Sequence, residues 1–304
     1  MSIAKKPLTR IQADFILLFT ALVWGSGFIA QRVAAPFTSI FFYNGGRFLL
    51  GALLILPLIR FRLNIPRREM RGVFAAGALL FAAGSLQQAG MRTTSAGNAG
   101  FITGLYVVMV PIFLFLIWNE RQTWTIWVAA VVAVIGMLLL STGGAIRFVS
   151  GDFLEFLGAI LWAFHVIVVS NSVKKLNPLH FAVAQFLICA AFNLLVGFIF
   201  EPASIRVMPN YWWPIVYNGV ASVAIGFTLQ GVGQKHAPPT DAALILSMES
   251  VFAALLGYLF LSERFTLTQT IGSALVMAAI LLSQIPVNHF RKPIPKLEND
   301  KPGI

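Results

Sequence analysis

Charge is what this chain lacks most. Of its 304 residues 11% are charged and 58% are hydrophobic, whereas a soluble domain carries about 25% charged residues. At a mean hydropathy of +0.82 it cannot clothe a water-facing surface, so its solvent is largely lipid. Cysteine is nearly absent, and the lone Cys189 rules out a disulfide framework within the chain. Histidine occurs four times, with no Cys, Asp or Glu at ligand spacing, so no metal site is expected. There is no Asp-rich pair, no H-E-x-x-H and no G-x-S-x-G, the constellations by which membrane-embedded enzymes hold metals, protons and nucleophiles. Neither an enzymatic activity nor a cofactor is expected. The apolar runs are continuous and do not alternate with period two, which excludes a membrane β-barrel.

What is present is length. Apolar runs of about twenty residues, each enough to cross about 30 Å of hydrocarbon as a helix, recur at 14–33, 37–59, 71–91, 97–118, 123–141, 152–173, 179–200, 213–234, 241–261 and 267–286. The expected fold is an all-α membrane protein of about ten transmembrane helices. A net charge of +11 invites a nucleic-acid reading, but no basic patch is interleaved with aromatics. With the amino terminus taken as cytoplasmic, sixteen Lys and Arg fall on the inner side, Arg60, Arg62, Arg67, Arg68 and Arg71 among them. Five fall outside (Arg32, Arg92, Arg147, Arg206 and Arg264), and Arg47 is left within a span. This positive-inside bias implies a multi-pass protein of the inner (plasma) membrane with both termini cytoplasmic, ending in a polar tail at 291–304. The expected partners are a small-molecule substrate and membrane lipid, not nucleic acid.

The chain also repeats itself. DFILLFTALVW (14–24) and DFLEFLGAILW (152–162) open alike, and at the same offset Arg47-Phe48-Leu49 faces Gln185-Phe186-Leu187. After an insertion of about five residues, Leu86-Gln87 matches Leu229-Gln230, Gly90 matches Gly233, and Asn98-Ala99 matches Asp241-Ala242. The division is a first five-helix repeat at 1–145 and a second at 146–290. Five is odd, so the second copy crosses the membrane in the opposite sense. Such inverted-topology repeats are the architecture of many secondary transporters, and a single chain then suffices, as a monomer, to build a whole cavity.

Two segments carry a likeness to a known family: TTSAGNAGFITGLYVVMVP (93–111) with Glu120-Arg121, and TDAALILSMESVFAALLGYLFLSER (240–264). In these the chain resembles the ten-helix EamA-type branch of the drug/metabolite transporter superfamily, which includes bacterial amino-acid exporters. The resemblance implies metabolite transport by alternating access, with a central cavity between the halves, and leaves the substrate open. Two departures stand out. Ser250 occupies a position where the family often has proline, and Tyr106 stands where the second half has Glu249.

At about 1.5 Å per residue, Trp24 and Trp162 each lie roughly 15 Å deep, entering from opposite faces. They are either aromatic walls of a cavity or ordinary packing. Arg47 and its counterpart Gln185, and Tyr106 and Glu249, fall near the midplane. A charge there costs about 2.5–3.5 kcal/mol on insertion scales and normally faces a cavity or a partner. Glu249 suits proton coupling or an ammonium anchor. Arg47 suits bidentate capture of a carboxylate; the bland alternative pairs the two with each other. Trp24, Arg47, Tyr106, Trp162, Gln185 and Glu249 are therefore the candidate substrate-binding residues. Gln87 and Gln230 are either gates at opposite ends or interhelical hydrogen bonds. His165, one turn beyond Trp162, lines the cavity or packs. Pro111 is expected to kink the fourth span, and Gly25-Ser26-Gly27 to loosen the first. The function these features imply is a secondary active transporter of small metabolites, foremost an exporter of amino acids or related amphipathic molecules. The alternative is proton-coupled multidrug or organic-cation efflux through Glu249.

Overall fold

A computed structural model describes residues 8–142, 149–261 and 266–285; Lys5, Lys6, Arg147, Glu263, Arg264 and the 291–304 tail lie outside them. The described residues form helices α1 (Arg10–Ala34), α2 (Ile40–Ile55), α3 (Met70–Gly90), α4 (Ala96–Gly104), α5 (Tyr106–Trp118), α6 (Trp124–Thr142), α7 (Ser150–Val173), α8 (Pro178–Phe200), α9 (Trp212–Tyr217), α10 (Thr228–Gln234), α11 (Pro239–Leu246), α12 (Glu249–Leu261) and α13 (Leu267–Ser283). Eight helical runs are long and apolar enough to cross a membrane, and α6 and α13 are shorter apolar helices. Together they make the ten expected spans of an all-α membrane protein, with α4–α5, α9–α10 and α11–α12 each composite. Hydroxyl and amide caps start several of them: Thr9 with Gln12 on α1, Ser39 on α2, Ser95 on α4, Asn177 ahead of Pro178 on α8, and Thr266 with Gln269 on α13. Below, the face where α1 begins is the first face and the other the second.

The repeats do not pack as two lobes. The heaviest packing runs between them: α6 on α13, α3 on α7 and α8, α2 on α8, and α1 on α12. Each such contact has its inversion mate, since α1 also packs on the eighth span as α7 does on α3. The interlocking is close because glycine meets backbone. A Cβ added to Gly136 of α6 would stand 2.7 Å from the Gly272 carbonyl of α13.

Both fourth spans are broken, and at equivalent positions. In the first repeat α4 ends at Gly104 and α5 restarts at Tyr106; in the second α11 ends at Leu246 and α12 restarts at Glu249. Pro111, expected to kink the first of these spans, does not coincide with the break. It lies inside α5, beyond the break, and Ala254 occupies its place in the second repeat. Freed backbone groups are answered locally instead. Leu105 N donates to Ile102 O at 3.1 Å, Ser247 Oγ to Leu244 O at 2.7 Å and Ser250 Oγ to Ser247 O at 2.8 Å. Irregular backbone at membrane depth is tolerated where it is so satisfied and lines a cavity. Gly25-Ser26-Gly27 does not loosen α1 either, which runs unbroken through it. These glycines permit close approach, since a Cβ at Gly25 would lie 2.8 Å from the Glu249 carbonyl, and one at Gly27 2.7 Å from Asn218 Oδ1.

Matching polar clusters tie the repeats together at the two faces. At the first, Arg10 bonds Asp14 (2.9 Å) and Asp241 of α11 (2.7 Å). At the second, Asp152, the repeat mate of Asp14, accepts from Asn98 Nδ2 at 2.7 Å, and Asn98 is the mate of Asp241.

Gly136→Ala is expected to cost about 1–3 kcal/mol through overpacking and to lower the thermal midpoint in detergent. Gly97→Ala, with nothing within 4 Å of the added Cβ, should be neutral or stabilising by up to about 1 kcal/mol. Scanning fluorimetry on the two variants checks both.

Candidate functional site

The restarts of the two broken spans bring Tyr106 and Glu249 face to face. Tyr106 Oη donates to Glu249 Oε1 at 3.2 Å, and both residues are buried. They are repeat mates, so their contact lies on the pseudo-twofold axis. Around them is a cavity whose walls include Trp24, Phe28, Gln31, Arg47, Gln87, Thr103, Trp162, Ser222, Phe227 and Gln230. It has about 40 Å³ of room for the centres of water-sized molecules, enough for about three waters. A larger occupant has to push its walls apart.

Aromatic rings form one side. Phe227 stands between the tryptophans, with ring centroids 4.7 Å from Trp24 and 5.9 Å from Trp162, the latter pair stacked. The eighth span is π-helical from Asn218 to Phe227, and within that segment Ser222 O accepts Trp24 Nε1 at 3.1 Å. Trp162 Nε1 has no partner. Widened turns of this kind recur at functional sites in other helices.

Arg47 forms the other side, 2% exposed. Its guanidinium carbon stands 5.0 Å from the Phe48 ring centroid and 5.4 Å from that of Tyr43, cation–π contacts that partly replace water. Nε has no hydrogen-bond partner, and Arg47 makes no ion pair among the described residues. Arg47 and Glu249 therefore share the cavity without neutralising each other. Gly84 borders the guanidinium, and a Cβ there would make ordinary contact 3.6 Å from Nη2. In the second repeat the position of Gly84 is taken by Phe227 and that of Arg47 by Gln185.

Profile comparison matches residues 11–142 and again 149–284 to the EamA-like transporter family. The chain belongs to that family. An uncharacterised transporter of Archaeoglobus fulgidus is 29% identical over 279 residues, covering 91% of this chain and 87% of that one. The uncharacterised Bacillus subtilis transporter YyaM is 23% identical over 295 residues, with 90% and 94% covered. A chloroplastic WAT1-related protein of Arabidopsis thaliana is 23% identical over 291 residues, with 89% and 69% covered. A crystal structure at 19% identity superposes with a TM-score of 0.74 over 91% of this chain and 97% of its own, which speaks for the fold alone. The protein is thus a multi-pass membrane transporter of small molecules.

In this EamA-like transporter, five of the six candidate binding residues line one cavity, as do both glutamines. Gln185 does not. Its Oε1 lies 3.1 Å from His165 Nε2, and that buried pair sits beyond Phe227, whose ring centroid is 6.0 Å from His165. Gln87 Nε2 donates to Thr103 Oγ1 at 3.1 Å, while Gln230 Oε1 has no partner. Phe28, Gln31, Thr103, Ser222 and Phe227 escaped the sequence reading. For Phe227 the signal was its alignment with a glycine. Glu155, fully buried behind Thr103, escaped it too, though it faces Leu17 in the aligned openings.

Gly226→Ala would place a Cβ 2.5 Å from Trp24 Nε1, so it should push the indole off Ser222 O. The expected result is an altered near-ultraviolet dichroism of tryptophan and a loss of about 1–3 kcal/mol of stability. Trp24→Phe should keep the wall and lose only the hydrogen bond.

Proposed function

We propose that this transporter carries small zwitterionic, amphipathic molecules, foremost amino acids with apolar side chains, and exports them by alternating access. One observation carries the reading: an unpaired buried cation and a buried carboxylate stand in the same cavity, flanked by aromatic rings. A guanidinium without a counter-ion and a carboxyl group with a single hydrogen bond are costly inside a membrane, and a zwitterion answers both at once. Its carboxylate meets the Arg47 fork and its ammonium meets Glu249, while Trp24, Trp162 and Phe227 hold the apolar part. Phosphorylated substrates fit less well, because Arg47 is the one cation among the described residues of the cavity walls. Equivalent breaks in the two fourth spans support alternating access, since each repeat then presents a matching pair of half-helices to the cavity. The basic bias of the first face supports an inner-membrane protein with cytoplasmic termini. One chain supplies every wall, which favours a functional monomer.

A thermal-shift panel on purified protein tests the substrate class, comparing apolar and aromatic amino acids with organic amines, lipophilic cations and sugar phosphates. A ligand at a hundred times its Kd stabilises by about 2.7 kcal/mol. The expected result is stabilisation by amino acids that disappears in Arg47→Ala and weakens in Glu249→Gln. Stabilisation by cations alone, insensitive to Arg47→Ala, would replace this reading with organic-cation efflux through Glu249.

A further inference from the structure

Glu155 lies on α7 about 8 Å from its second-face end at the helical rise, 0% exposed. Its Oε2 accepts from Thr103 Oγ1 at 3.3 Å, and among the described residues its Oε1 has no partner. One turn away, both oxygens of Asp152 are satisfied: Oδ1 by Thr94 Oγ1 at 2.6 Å and Asn98 Nδ2 at 2.7 Å, Oδ2 by Val149 N at 2.9 Å. No cation pairs with either carboxylate among the described residues. Asp152 thus receives three donors, whereas Glu155 receives a single long hydrogen bond.

The ionisable surroundings are sparse. On α7 the nearest ionisable group is Asp152. From α3 the facing residues are Gly90 and Gln87 and from α4 Thr103, none of them titratable. Tyr106, the titratable residue of α5, is bound to Glu249. The ionisable groups of α8 and α11 (His180, Cys189, Asp241) lie at mid-membrane or toward the first face. A metal ion is poorly served, since it would need several free oxygens and Asp152 has none to offer.

Glu155 is nevertheless one side chain from the transport cavity. Thr103 is at once its hydrogen-bond partner and a cavity wall, and it accepts from Gln87, another wall. The second repeat lacks this arrangement: Gln230 mates with Gln87, but Leu246 replaces Thr103 and Leu17 replaces Glu155. Packing alone asks for no such difference, because the apolar pair fills the equivalent place. We propose that Glu155 is a proton-coupling site, distinct from the substrate anchors, that exchanges its proton with water in the cavity when Thr103 swings aside. The carboxylic acid transfers H⁺ to a cavity water, leaving a carboxylate and hydronium, and is reloaded by the reverse step. Net transport is then tied to the proton gradient.

Two measurements on the full chain in lipid vesicles test this. Infrared difference spectra across pH steps should show a protonated-carboxyl band in wild type, Glu249→Gln and Thr103→Val that is missing in Glu155→Gln. The band should titrate in wild type and respond more slowly in Thr103→Val. In vesicles with an entrapped pH dye, L-phenylalanine movement should carry protons in wild type, whereas Glu155→Gln should keep phenylalanine exchange and lose the proton signal. A band unaffected by Glu155→Gln, or one that Glu155→Gln removes but that never titrates, would overturn the proposal and leave Glu155 a structural hydrogen-bonding residue. Proton movement surviving in Glu155→Gln would overturn it as well. If wild type moves no phenylalanine, the amino-acid reading fails, and the infrared titration still decides the role of Glu155.

Discussion

A carboxylate buried as deeply as Glu249 has to be answered by something, and here the answer is the hydroxyl of its own repeat mate, Tyr106. That single contact fixes much else. For the two residues to meet, both fourth spans must present the same position to the axis, and both are interrupted immediately before it. The interruptions in turn need neighbours that tolerate close approach, which Gly25 supplies against the Glu249 carbonyl. The seam between the repeats is thus a polar contact surrounded by tight backbone packing, the combination that keeps irregular backbone stable in lipid.

Symmetry builds this scaffold, and departures from symmetry give it chemistry. The pair Arg47 and Gly84 on one side of the axis becomes Gln185 and Phe227 on the other. The first pair leaves a guanidinium in the cavity; the second fills the equivalent space with a ring and turns its amide to His165. Thr103 and Glu155 against Leu246 and Leu17 make a second departure. A duplicated chain kept only for stability has no need of either, because a charge or a sparsely hydrogen-bonded carboxyl group in hydrocarbon is costly where an apolar substitute is not.

Most of the fold was legible because lipid leaves a chain few options. Twenty apolar residues must be a helix, and two copies of an odd number of spans must be inverted. Depth could be read by counting, so Trp24, Trp162, Arg47, Tyr106 and Glu249 were placed at one level. Azimuth could not, since it depends on how each helix rolls against partners distant in sequence, and Gln185 at the right depth turned out to face His165. The breaks were illegible for another reason. They are not written as proline, which sits inside α5, but as a packing arrangement that serine hydroxyls and local turns make affordable. Glu155 stood in the very stretch that revealed the repeat, opposite a leucine; only the structure shows that Thr103 joins it to the cavity.

The two faces close with the same positions but different chemistry. At the first, the Arg10 guanidinium bridges Asp14 and Asp241; at the second, Asp152 takes neutral donors from Asn98 and Thr94. Both clusters are formed at once, and the cavity between them has room for a few waters only. If the proposed alternating access holds, each face opens by giving up its own cluster, and the preference between outward and inward states depends on the difference between them. Partly exposed ion pairs are worth about 1 kcal/mol or less, and hydrogen bonds to a charged group about 1.5–3 kcal/mol. Two such ion pairs and two such hydrogen bonds differ by about 1–6 kcal/mol, a gap that a bound substrate or a proton can offset to shift the population from one state to the other. Latches built from repeat-equivalent residues, unequal by no more than a ligand or a proton can offset, are what an inverted pair must have if both of its states are to be used.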